Sequence, residues 1–260
     1  MRQFWVGAGI LLLGLLGLLG TDLVWAQDFT TGLVGHWKLD EGTDATAADE
    51  INANTLDLIN TPTWVAGQVG PGAISFLQSS AERLTRQITS ANALWMGTQN
   101  WTVMGWIKLT AVTNVDRGIA GTWNGQDVFW YWRLDSNNLQ AFNIRLNSTT
   151  AVGCTANTAM TGTAWRHVAV AVVRSGTATF YTDGTADGTC TVSSLQASNI
   201  VNATETPFNI GNIGSGQAGN HFDGTIDEVR IFNRALSEAD IDAHMAFTGA
   251  SVRKRLLMLE

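Results

Sequence analysis

The chain is short of charge, proline, cysteine and histidine, and each shortage closes off a class of function. Fifteen Lys and Arg stand against 22 Asp and Glu, a net charge of −7. No basic face is available to neutralise phosphates, so nucleic acid is excluded as a partner. The acids form no block and serve as ordinary solubilising charge. With 3 prolines, no Pro/Ser linker divides the chain, and no internal repeat stands out. The 2 cysteines, Cys154 and Cys190, are too far apart for a Cys-x-x-C redox motif. Without histidines nearby they do not make a zinc site either. The 4 histidines (His36, His167, His221, His244) are scattered, and no Gly-x-Ser-x-Gly elbow is present. A sandwich glycosidase needs two carboxylates facing each other across a cleft, typically from Glu-x-Asp-x-x-Glu on one strand. That pattern is absent. The pairs Asp40-Glu41, Asp49-Glu50 and Asp227-Glu228 are adjacent residues, which point to opposite faces of a strand. No catalytic residue is expected.

What the chain has in quantity is apolar residues (45%), 27 glycines and 11 tryptophans. Such a composition suits many short strands joined by tight turns. Apolar runs between turn signals place strands near residues 33–39, 73–77, 83–88, 102–109, 117–121, 128–134, 139–146, 152–156, 166–174, 178–182, 188–192, 207–210 and 222–233. Asp183-Gly184 is the clearest hairpin dipeptide. About a dozen strands without interleaved helices predict an all-β, two-sheet antiparallel sandwich. One short C-terminal helix follows: Ser237 is its N-cap, Asp240 completes a near capping box, and Leu236 staples onto Ile241.

The first 26 residues are a different object. Arg2 precedes an apolar run from Phe4 to Leu19, and Val24-Trp25-Ala26 closes it. Two readings are open. One is a secretory signal cleaved after Ala26. The other is an uncleaved anchor, in which Trp5 and Trp25 lie ~30 Å apart at the two interfaces. Gly7, Gly14 and Gly17 would then let a neighbouring membrane helix approach closely. Either way the sandwich, residues 27–250, lies outside the cytoplasm. Export also permits a Cys154–Cys190 bridge. The tail, residues 251–260, is a basic triplet followed by apolar residues, which either packs on the sandwich or meets lipid or a partner subunit.

Four segments, in order, resemble the laminin-G-like, concanavalin A-like jelly-roll domain of bacterial extracellular proteins. Leu33-Val-Gly-His-Trp-Lys-Leu-Asp-Glu-Gly42 resembles its opening strand and acidic turn. Gly72-Ala-Ile-Ser-Phe76 resembles a following strand, and Trp165-Arg-His-Val-Ala-Val170 with Phe180-Tyr-Thr-Asp-Gly184 resembles the central hairpin. Phe222 to Ser237, with the helix after it, resembles the closing signature.

The resemblance implies a jelly-roll fold and one rim site for a structural calcium ion, here at Asp49 and Asp227. The loop departs from the usual Gly/Asn-rich form at Glu50, Ile51 and Ala53, and the competing role for Asp227 is to accept backbone N–H bonds at a strand bend. No other cofactor is implied. Trp123, Trp130 and Trp132 lie in the more variable middle. Trp130 and Trp132 share one strand face, as a stacking platform for a ligand or as core, burial being the commoner state of Trp. Two functions follow. The first is a non-catalytic, exported recognition module, periplasmic or cell-surface, that binds glycan or protein. The alternative is an accessory structural subunit anchored by residues 4–26 to integral membrane subunits of a larger assembly, such as a respiratory or photosynthetic complex. The fold itself does not choose between them.

Overall fold

A computed structural model describes residues 30–89, 91–123, 129–145, 151–195, 205–214 and 219–246. Trp5, Gly7, Gly14, Gly17 and Trp25, expected to form a membrane helix, and the tail of residues 251–260 lie outside the described residues. Among the described residues, no helix is long and apolar enough to cross a membrane.

The chain runs through β1 (Leu33–Trp37), β2 (Thr46–Ala47), β3 (Leu56–Ile59), β4 (Thr63–Val65) and β5 (Ala73–Phe76). It continues through β6 (Arg83–Ile88), β7 (Trp101–Leu109), β8 (Arg117–Gly121), β9 (Phe129–Leu134), β10 (Gln140–Arg145) and β11 (Ala151–Thr155). Then come β12 (Arg166–Val172), β13 (Thr177–Thr182), β14 (Thr185–Thr191), β15 (Thr206–Ile210), β16 (Gly224–Phe232) and α1 (Glu238–Ala246). Two antiparallel sheets result. Sheet A has the order β14-β13-β12-β7-β16-β5-β4, with β1 also paired to β16. Sheet B has the order β11-β10-β9-β8-β15-β6-β3-β2. The expected sandwich is therefore the observed one. It also carries three short strands, β2, β3 and β4, that the sequence pattern did not signal.

Alternation along each strand builds the core between the sheets. Val168, Val170 and Val172 of β12 face inward with Val103 and Ile107 of β7, and meet Trp130, Trp132, Phe142 and Phe208 from sheet B. Trp37 stacks on Phe208 at 5.2 Å, and Trp101 meets Phe142 edge-on at 4.8 Å. Asp183 and Gly184 both take positive φ (49° and 80°) between Thr182 and Thr185, which pair across the turn. This is the twist that a two-residue hairpin needs, and Asp-Gly supplies it at low cost.

The helix α1 covers the outer face of sheet A. Ile241 and Leu236 pack there on Met104, Ala169, Ala171, Tyr181 and Phe232. Its capping box forms as expected: Asp240 N donates to Ser237 Oγ and Ser237 N donates to Asp240 Oδ2, each at 3.2 Å. Burial opposes ionisation of Asp240, yet the Ser237 bonds and Arg234 hold its carboxyl below the usual range.

Cys154 of β11 and Cys190 of β14 form a disulfide across 5.9 Å between Cα atoms. β11 ends sheet B and β14 ends sheet A, so the bond closes one long edge of the sandwich.

Candidate functional site

Asp49 and Asp227 occupy separate environments. Asp49 Oδ1 accepts from the backbone N–H of His36 (2.9 Å) and Ile51 (3.1 Å), and Oδ2 accepts from Asn54 Nδ2 (2.9 Å). Asp227 Oδ2 accepts from the N–H groups of Gln68 and Val69, at 2.8 and 2.9 Å. The two carboxylates share no partner. Calcium gathers several oxygen ligands, whereas the groups converging on these side chains are N–H donors, of the wrong polarity. Among the described residues, no group of three or more His, Cys, Asp or Glu side chains is placed to hold a metal ion. The residues present do not fit the expected rim site.

The surroundings of Asp227 are nonetheless unusual. A β-bulge interrupts the β16–β7 register between Asp227 and Arg230, and Glu228 sits there at φ 53°. Gly105 lies opposite, where a Cβ would stand 3.3 Å from the Asp227 carbonyl oxygen. The bulge sets Asp227 and Glu228 in different surroundings. Glu228 accepts from His36 Nε2 at 2.7 Å and from Arg230 at 2.5 Å. Burial opposes its ionisation, but these two partners keep its carboxyl below the usual range. Asp227 has no exposed surface, and among the described residues its Oδ1 has no hydrogen-bond partner. Burial, opposed by the Val69 and Gln68 N–H groups and reinforced by Glu228 and Asp40, pushes its pKa up to about 7. Asp40 is also raised by burial, against the N–H of Gly72.

The Trp-rich middle divides by face. Trp130 and Trp132 have no exposed surface: they sit between the sheets, with Trp130 5.8 Å from Trp101 and 6.1 Å from Phe208. The stacking role for these two is thus corrected, because the even-numbered face of β9 is the core face.

The odd-numbered face, Phe129, Tyr131 and Arg133, points outward and carries a row of rings. Phe129 and Tyr131 stack at 5.5 Å with planes 16° apart. Trp123 lies 5.2 Å from Phe129 and 5.8 Å from Tyr131, the latter at 22°. The Arg133 guanidinium lies 5.5 Å from the Tyr131 ring centroid and is paired with Asp116. Trp123 and Tyr131 are half-buried, with Phe129 beneath them at 7% exposure. Burial raises the Tyr131 phenol, with Arg133 opposing, so it stays neutral at physiological pH.

Neighbouring backbone fixes this row. Trp123 N donates to the Ile213 carbonyl at 3.0 Å, and Trp123 bridges Gly214. Residues 212–214 and 220 cross close above Gly118 and Gly121, where a Cβ would stand 2.5 Å from Ile213 N and Ile213 O respectively. On the other side the face descends to Asn143 of β10 and to exposed Ala151, Gly153 and Thr155 of β11. The outcome is an aromatic shelf with a backbone wall on one side and small residues on the other. Sequence reasoning found Trp123 but missed Phe129 and Tyr131. The available signal was Gly118 and Gly121, two glycines within one strand, which mark a close backbone approach.

A family model described as the concanavalin A-like lectin/glucanases superfamily (Laminin_G_3) matches residues 82–242, more than half of the chain. No curated protein matches the chain in sequence. Among solved structures, domain 4 of an extracellular arabinanase from Geobacillus stearothermophilus is 17% identical with a TM-score of 0.61, covering 83% of this chain and 98% of that one. The binding domain of botulinum neurotoxin serotype D/C is 13% identical with a TM-score of 0.62, covering 82% of this chain and 51% of that one. The binding domain of Paraclostridial Mosquitocidal Protein 1 is 14% identical with a TM-score of 0.60, over 82% and 52% respectively. The chain therefore spans about half the length of the toxin binding domains, and at these identities the likeness shows the fold alone. The match over residues 82–242 and the two-sheet jelly roll together establish that the chain belongs to the concanavalin A-like lectin/glucanase superfamily.

Proposed function

We propose that this chain is a non-catalytic, exported recognition module that binds glycan on the outer face of sheet B. The row of near-parallel rings formed by Trp123, Phe129 and Tyr131 carries the reading. Aromatic faces accept the apolar C–H faces of sugar rings, and the polar groups of Tyr131, Arg133 and Asn143 lie within or beside the row. The core does not need these rings, because the opposite face of β9 already fills it. Solved structures of the same fold support the reading. The arabinanase domain is in complex with arabinotriose, and botulinum neurotoxin DC binding domains are in complex with SialylT and with rat synaptotagmin II. The Cys154–Cys190 bond supports export, since disulfides persist in oxidising compartments.

A glycan array probed with the full-length chain should give hits, and Trp123→Ala with Tyr131→Ala should remove them while the melting temperature stays close to the wild-type value. Protein recognition would replace glycan recognition if the array stays silent. Hits that survive the double substitution would move the site away from sheet B.

A further inference from the structure

We infer that a second recognition site lies at the rim of the sandwich, a pocket shaped for one neutral sugar ring. It is built where the loop after β6 meets the end of β16, apart from the aromatic shelf. Its cavity is about 200 Å³ and is lined by Asn92, Met96, Gln99, Asn100, Trp101 and Asn233, among others. That is below the roughly 300–1,000 Å³ of pockets that enclose drug-sized ligands, so the pocket encloses no more than a single ring.

The lining is rich in carboxamides and holds no charged side chain. Asn92 is spent on structure: its Oδ1 accepts from Leu94 N and its Nδ2 donates to Asn54 Oδ1. Asn100 uses its Oδ1 to accept from Arg174 N and keeps Nδ2 free of described bonds. Gln99 and Asn233 are exposed, and their carboxamides make no hydrogen bond among the described residues. Each offers two N–H donors and an acceptor oxygen, which match the hydroxyl groups of a sugar, themselves both donor and acceptor. Trp101 lies beneath the pocket, fully buried, with its ring packed against Trp130 and Phe142 of the core. A neutral ligand follows from the uncharged lining, which offers an ionic group no opposite charge.

The loop is held ready. Buried Leu94 and Trp95 root it in the core, and Met96 takes φ 65°. Arg174 Nη1 donates to the Gly97 carbonyl at 2.9 Å, so the turn that presents Gln99 is clamped from below. A ligand therefore finds the pocket formed and pays little for ordering it.

The test is side-chain amide NMR of the full-length, ¹⁵N-labelled chain. The probes are methyl α-D-glucopyranoside, methyl β-D-galactopyranoside and methyl N-acetyl-β-D-glucosaminide. At least one should shift the Gln99 and Asn233 signals, with a Kd on the order of 1 mM. Gln99→Ala with Asn233→Ala should weaken it by about tenfold, while Trp123→Ala with Tyr131→Ala leaves it unchanged. The inference is overturned if no probe shifts these signals, or if the pocket substitutions leave the affinity intact. Shifts lost only in the Trp123/Tyr131 variant would overturn the pocket and leave the aromatic shelf standing.

Discussion

Asp227 is a carboxyl group whose two oxygens live differently. Oδ2 takes two backbone N–H bonds, which favour the anion, whereas Oδ1 is buried and accepts from none of the described residues. With its pKa at about 7, well above the ordinary carboxyl value, the folded chain keeps a proton that the unfolded chain gives up near pH 4. Between those limits the native state binds more protons, so this group lowers stability as pH rises, by up to about 1.4 kcal/mol per pH unit. His167 and His244 act in the opposite direction. Burial lowers their pKa values to about 3 and about 4, so they withdraw stability as pH falls below about 6.5. A difference measurement separates the two effects. Asp227→Asn keeps an oxygen for Gln68 and Val69 and removes the titration. The unfolding free energy of the variant minus that of the wild type should climb steadily from pH 4.5 to pH 7.5, by roughly 1–3 kcal/mol. A flat difference would mean that Asp227 is already ionised in the folded chain, and the bulge would then have to hold a bare carboxylate.

At the scale of elements, what could be read from sequence depended on length and on contrast. The opening strand, the Asp183-Gly184 hairpin and the Ser237 cap were legible, because each joins a periodic run to a turn or cap residue with a specific geometry. β2, β3 and β4 span two to four residues, too few to show a period of two, and they escaped. β9 showed its period without showing its direction. Phe129-Trp-Tyr-Trp-Arg-Leu134 is aromatic on both faces, so hydrophobicity alone did not say which one meets the core. The crossing of residues 211–214 over β8 was hidden because it is a loop held by backbone contacts. Gly121 is where that crossing can be tested. An added methyl group would stand 2.5 Å from the Ile213 oxygen and 2.7 Å from Tyr131 Cβ, neither of which is a flexible end. Gly121→Ala should therefore cost about 1–3 kcal/mol in urea unfolding and should weaken ligand binding on the shelf. An unchanged midpoint would show that the crossing segment shifts freely and is no wall at all.

For the whole molecule, the two long edges of the sandwich are closed by different means. On one edge Trp64 of β4 donates its indole N–H to the Asp44 carbonyl at 2.9 Å, linking the edge strand of sheet A to the approach to β2 of sheet B. On the other, the Cys154–Cys190 bond ties β11 to β14 covalently. The proposed recognition face makes that second edge matter, since the aromatic row on β9 lies only two strands inward from β11. The bridge spans 36 positions of sequence, and closing a loop of that size in the unfolded chain removes entropy worth about 4 kcal/mol at 25 °C. Set against the roughly 5–15 kcal/mol that holds a domain together, this is a large share. We expect the wild-type protein, denatured without reductant, to show no free thiol. Cys154→Ala with Cys190→Ala should lower the unfolding free energy by about 2–4 kcal/mol with little change in the spectra of the folded state, because both sheets keep their own hydrogen bonds. Two free thiols per chain would remove the staple and the argument for an oxidising compartment together. A double variant as stable as the oxidised protein would instead show that the β11–β14 edge is held by its apolar contacts alone.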